Sequence, residues 1–175
     1  MGNRGALAVA PDKLGNALWK GTRWISCDPK FGGKKLSLMA PGKNTQLFFL
    51  DEAVALAAGH RPCWTCRKGA FVQFKAAWPG NGGVAATEMD RILHKERIVN
   101  FPTRQRGYPG RFEDLPNGTF VELDGEAWLV LDSSLVRYTP TGYDKRLDIP
   151  SGCAIVITPK SVVEALANGY SPKLH

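Results

Sequence analysis

The chain is short of long apolar runs, of acidic charge, of histidine and of cysteine, and each shortage narrows what it can be. No stretch approaches the ~20 consecutive apolar residues that a membrane span needs. The longest, around Val54 to Ala58, is brief and follows two acids. The first residues form no compact apolar segment with a cleavage site, so the sequence predicts no signal peptide and a cytoplasmic location. Asp and Glu number 16 against 23 Lys and Arg, giving a net charge of +7 and a pI near 9.4. That balance disfavours cationic partners and favours anionic ones, of which nucleic acid is the commonest. Four cysteines without an export signal do not make a disulfide framework.

What is present describes a folded protein. The 175 residues, 43% hydrophobic and 10% aromatic, suffice for one domain or two small ones with a sizeable core. Residues 1–20 read as a loose start with one short helix near Leu14 to Trp19. Residues 22–50 read as three strands: Thr22 to Ser26, Leu36 to Met39 and Gln46 to Leu50, divided by Gly- and Pro-containing turns. Asp51 is a good N-cap, Glu52 suits the positive end of a helix, and the alanine-rich run to Ala58 propagates it. Gly59 and Pro62 stop that helix. A second helix is expected from Thr65 to Trp78, with Phe71, Phe74 and Trp78 on one face, and a third from Thr87 to Arg97, with Met89, Ile92 and Leu93 inward.

After a Pro-, Gly- and Arg-rich stretch over 98–117, the pattern turns to β. Phe120 to Leu123 and Ala127 to Val130 flank Asp124-Gly125, a hairpin signature. Strands at Leu135 to Tyr138 and Ala154 to Ile157 and a helix over Lys160 to Asn168 complete the prediction. The expected architecture is α+β: an N-terminal α+β module with following helices over 1–97, a basic linker or loop over 98–117, and a β-rich part over 118–175. This last part reads as a small β-barrel or curved sheet with a terminal helix. One internal echo recurs: Leu-Ala-Ala-Gly-His-Arg-Pro ends at Pro62 and Leu-Ala-Asn-Gly-Tyr-Ser-Pro ends at Pro172. Two helices stopped by Gly and then Pro explain it without a repeat.

The chemistry concentrates at Cys63-Trp64-Thr65-Cys66. Two cysteines at this spacing point both sulfurs into one turn and can share a metal, zinc above all, while Arg61, Arg67 and Lys68 help stabilise thiolates. One such pair supplies two of the four ligands a structural zinc needs. A thioredoxin-like redox pair would sit between a strand and a helix of a βαβ unit, which this sequence does not suggest.

The stretch from Phe48 to Arg67, with Gly59-His60-Arg61-Pro62-Cys63-Trp64-Thr65-Cys66-Arg67 at its end, resembles the zinc-binding domain of the Ada DNA-alkylation repair family over about residues 22–68. The resemblance implies a β-ribbon carrying an upstream C-x3-C pair. Cys27 matches the first cysteine of that pair, which in the family is also the methyl acceptor, and Phe31 stands where the second would be. The whole chain also resembles a group of bacterial proteins sharing this block and a later Leu-His-x-Glu-Arg, here Leu93 to Arg97, a likeness that implies no activity.

The resemblance makes Cys27, Cys63 and Cys66 the expected zinc ligands. The fourth is His94 by preference, with Cys153, His60, Asp28 or water as alternatives. Water in the fourth place would make the zinc potentially catalytic. His94-Lys95-Glu96 with Pro62-Cys63-x-x-Cys66 also contains the residue types of zinc nucleobase deaminases, in reversed order. From Arg91 to Arg111 six residues are basic, with Phe101 and Tyr108 between them. Arginine forks bind phosphates and aromatics stack on bases. Arg61, Arg67, Lys68, Arg104, Arg106 and Arg111 are therefore the expected phosphate contacts, joined by a second basic cluster at Lys30, Lys34 and Lys35. The expected function is nucleic-acid binding, DNA before RNA, in repair, modification or phage–host regulation. A zinc enzyme on a nucleic acid or nucleotide, and a protein-interaction module, are the alternatives.

Overall fold

A computed structural model describes residues 1–33, 38–99, 104–105 and 107–175, with positions 99, 104 and 105 described through the backbone alone. The expected Leu36–Met39 strand falls partly outside the described residues, and Lys34, Lys35, Phe101 and Arg106 lie wholly outside them.

The chain opens with β1 (Gly2–Asn3), β2 (Ala8–Ala10), β3 (Lys13–Leu14) and β4 (Ile25–Ser26). Helix α1 (Glu52–Ala57), β5 (Arg61–Pro62), α2 (Lys68–Ala77) and α3 (Ala86–Arg97) follow. Next come β6 (Ile98–Val99), β7 (Arg104–Gln105) and β8 (Tyr108–Arg111). The rest comprises β9 (Phe120–Leu123), β10 (Glu126–Leu131), β11 (Ser134–Thr139), β12 (Gly142–Asp148), β13 (Cys153–Val156) and α4 (Lys160–Ala167). Among the described residues no helix is long and apolar enough to cross a membrane.

The fold is mixed α+β. The C-terminal strands form one antiparallel sheet in the order β12-β11-β10-β9-β13-β8, open at β12 and β8, so the barrel form of the expectation is not adopted. Asp124 (φ 54°) and Gly125 (φ 78°) both take the left-handed region, as the tight turn between β9 and β10 requires. Alternate residues of each strand point to opposite faces. Val121, Trp128, Val130 and Leu135 enter one core cluster with Phe112 and Val156. Phe120, Leu129 and Val136 enter another with Ala53 and Ala57 of α1. Both faces are covered, which explains the unbroken apolar run Trp128-Leu129-Val130.

A third cluster gathers Leu56, Phe74, Trp78, Met89 and Leu93 with Val162, Ala165 and Leu166 of α4. The segments on either side of 98–117 therefore share core, and β8 within that stretch belongs to the large sheet.

Several local expectations change. Leu14 to Trp19 forms no helix; Lys13–Leu14 instead pairs with Ala8–Ala10. The strand foreseen over Thr22 to Ser26 shortens to Ile25–Ser26, and Gln46 to Leu50 contributes a single bridge from Leu47 to Gly2. Helix α2 starts at Lys68 rather than Thr65, because the Cys63–Cys66 segment is used as a turn.

Candidate metal centre

The site is built where two parallel strands end together. β1, β4 and β5 form a small sheet in which β4 and β5 run parallel, pairing Ile25 with Arg61 and Ser26 with Pro62. The next residue on each strand is Cys27 and Cys63, so the register sets the two cysteines side by side. The Cys63 amide donates to the Ser26 carbonyl (3.0 Å), carrying the pairing one residue further. Cys66 returns to the pair because the chain turns at once: the Arg67 amide donates to the Cys63 carbonyl (3.0 Å). The Asp28 amide then donates to the Cys66 sulfur (3.2 Å).

The sulfurs of Cys27, Cys63 and Cys66 lie within 4.8 Å of one another, and the three can hold a metal ion. Cys63 is buried, while Cys27 and Cys66 are half-buried. Their thiols do not titrate alike. Burial pushes the Cys27 thiol well up, and its two cysteine neighbours add to the rise. Burial also raises Cys66, against the opposing Asp28 amide. Burial acts the same way on Cys63, but the amides of Cys66 and Thr65 outweigh it and leave that thiol below its ordinary value. A turn that aims amides at the Cys63 sulfur suits a thiolate ligand. A soft set of three thiolates with supporting amides fits zinc.

The other candidates are dispersed. His94 lies outside the cysteine cluster: its ring packs edge-on against Trp19 and Trp24, and its Nδ1 is 3.2 Å from an Arg97 nitrogen. Burial and then Arg97 lower its pKa. His60 is fully buried between Trp24 and Phe49, and burial, with Arg4 and Arg97 adding, depresses its pKa to about 2. Cys153 is exposed on β13, opposite Arg111. Glu96, the acid of the H-x-E pattern, accepts from both the amide and the hydroxyl of Ser161 and so caps the start of α4.

Among the expected phosphate contacts, Arg61 is no surface cation. It is 4% exposed and gives Nε and Nη2 to the two Asp90 oxygens at 2.7 and 2.9 Å. Arg67 spans the site, reaching Glu52 at 2.7 Å and the Ser26 hydroxyl at 2.8 Å. Lys68 is exposed, with Nζ 5.2 Å from the centre of the Trp64 ring. Arg111 is exposed but paired with Glu113. Arg104 is described through its backbone in β7, and Arg106 lies outside the described residues.

Two features had no clear signal in the sequence. Trp24 is buried with the guanidinium carbons of Arg4 and Arg97 at 4.1 and 3.7 Å from its ring centre, a cation–aromatic stack behind the small sheet. A cleft of about 460 Å³ opens beside Cys27, lined also by Phe49, Glu52 and Arg67 and by Lys173 and His175 from the far end of the chain. Exposed aromatics flank the cysteines: Trp64 is 52% and Phe31 55% exposed. No family model, curated protein or solved structure matches the chain.

Proposed function

We propose that the chain is a zinc-containing nucleic-acid-binding protein. In this reading a zinc ion held by Cys27, Cys63 and Cys66 ties the end of the small sheet to the turn before α2 and so fixes the surface around Trp64. The convergence of three cysteines from two segments far apart in sequence carries it, because a cluster of three free thiols, one buried and two half-buried, is the donor set zinc takes from proteins. The likeness to the Ada-type domain supports the same ligands and favours DNA. The nucleic-acid part draws support from the +7 charge and from exposed Trp64 and Phe31 beside exposed Lys68 and Lys30, aromatic and cationic groups of the kind that grip unpaired bases and phosphates.

The test has two steps. Elemental mass spectrometry of native protein should find one zinc per chain, lost in Cys27→Ser; a metal-free native protein removes the reading. Labelled single- and double-stranded DNA should then bind with an affinity that falls steeply with added salt, since neutralised phosphates release counterions. Binding that ignores salt, or no binding, excludes the nucleic-acid function while leaving the metal centre standing.

A further inference from the structure

We infer that the metal centre is completed from outside the chain, by a small exogenous thiol entering through the cleft beside Cys27. The inference rests on the zinc reading above and goes further, because it assigns the class of the fourth ligand.

A structural zinc takes four donors. Three are supplied by the cysteines, and no other Cys, His, Asp or Glu joins the cluster among the described residues. The nine positions outside the described residues are Lys34, Lys35, Leu36, Ser37, Asn100, Phe101, Pro102, Thr103 and Arg106, and none is of those four types.

The acids around the cleft are already engaged. Asp28 accepts from the Lys30 amide at 2.8 Å. Asp51 accepts from the Val54 amide and from the Tyr143 hydroxyl, at 2.9 and 2.7 Å. Glu52 takes Arg67, the Tyr170 hydroxyl and the Lys173 amide, at 2.7, 2.6 and 3.0 Å. Swinging Asp51 or Glu52 onto the metal would break bonds that are buried or part-buried, at about 1–3 kcal/mol for each group left unpaired, while Asp28, whose bond from Lys30 is exposed, stands outside the cysteine cluster.

The cleft reaches one member of the trio. Cys27 forms part of its wall, whereas Cys63 and Cys66 do not. Its volume of about 460 Å³ lies in the range of small-ligand sites. Three thiolates make zinc a soft centre, for which sulfur is the matching donor. A thiol that coordinates is deprotonated, and its proton passes to solvent. The ligand class is therefore a low-molecular-weight thiol.

The test uses the full chain loaded with Co(II) and kept reduced with a phosphine, so that no thiol is present at the start. Thiolate-to-cobalt absorption counts sulfur donors. On titration with 2-mercaptoethanol that absorption should rise by about one third, as three sulfur donors become four, and saturate at one equivalent bound. Ethanol at the same concentration should change nothing, and Cys153→Ser should respond as the native chain does. A cobalt spectrum unmoved by the thiol overturns the inference. So does a thiol-free spectrum that changes on Cys153→Ser or His175→Ala, because the fourth donor would then come from the protein. Failure to bind Co(II) at all overturns the metal reading itself, which separates the two.

Discussion

Replacing Asp90 by alanine removes the counter-ion of a buried arginine. Arg61 and Asp90 keep 5% and 4% of their side-chain surfaces exposed, and two nitrogens of the guanidinium sit on two carboxylate oxygens. Removing one partner of such a pair costs about 3–5 kcal/mol, because the remaining charge stays buried and uncompensated. For a chain of this length, where each kcal/mol moves the midpoint by about 2–4 °C, that corresponds to a fall of roughly 6–20 °C. The loss also reaches the metal centre, since Arg61 lies in β5, which Cys63 directly follows. Asp90→Ala should therefore bind zinc more weakly than the native chain as well as melt earlier. The double variant Arg61→Met with Asp90→Leu is the control: apolar replacement of a whole buried pair is often neutral or stabilising. Urea unfolding with zinc in excess measures both, by linear extrapolation. An Asp90→Ala variant within about 1 kcal/mol of native would show that water reaches Arg61 and that the burial argument fails.

The remaining predictions can be checked on the same protein. His60 is buried and neutral, with its pKa lowered from 6.5 to about 2. The unfolded chain therefore takes up a proton that the folded chain refuses between those values. Stability is unaffected above pH 6.5 and falls below it by up to about 1.4 kcal/mol per unit, roughly 2–3 kcal/mol by pH 4.5. His60→Gln should flatten that part of the acid profile, and an unchanged profile would count against a buried neutral ring. Glu96→Ala should cost about 1 kcal/mol, as lost helix caps do, with zinc content unchanged, because Glu96 serves Ser161 rather than the cysteines. In the nucleic-acid reading, Trp64→Ala should lose about 1–3 kcal/mol of single-strand affinity. Lys68→Ala should lower the salt slope by about 1. Filter binding across a salt series reads both, and a Lys68→Ala slope equal to native removes Lys68 from the interface.

The parts of the fold that were legible are those with local causes. Asp51 caps α1 through its bond from the Val54 amide, and the Asp124-Gly125 turn closes the hairpin as its dipeptide suggests. The inward residues Met89 and Leu93 of α3 are fully buried. Strand β12 was missed because it is an edge strand with a mainly exposed, polar sequence, Gly-Tyr-Asp-Lys-Arg-Leu-Asp. Its place depends on β11 rather than on its own pattern. At the site, Cys63 and Cys66 were legible from spacing, and Cys27 only through the family likeness. The burial of Arg61 was not legible, because its partner Asp90 lies far along the chain on α3, and an arginine beside a Cys-x-x-Cys reads as a surface cation. Nor was the cleft, since Lys173 and His175 reach it from the end of the chain.

The echo between the two Leu-Ala-x-Gly segments has a physical resolution that bears on the site. Both helices end in the same cap. After α1, Gly59 (φ 76°) donates to Leu56 and His60 to Ala55; after α4, Gly169 (φ 95°) donates to Leu166 and Tyr170 to Ala165. That pair of bonds with glycine in the left-handed region is the Schellman arrangement, which many helices adopt independently. Beyond the cap the two copies diverge. Tyr170 is buried and bonds Glu52, locking the end of the chain against α1, whereas Arg61 enters the small sheet and delivers Cys63 to Cys27. At Gly59 a Cβ would come within 2.4 Å of the Arg97 side chain, so this cap is fixed by packing as well as by backbone sign. The direction in which the chain leaves α1, and with it the meeting of the cysteines, is therefore set by one glycine four residues before Cys63.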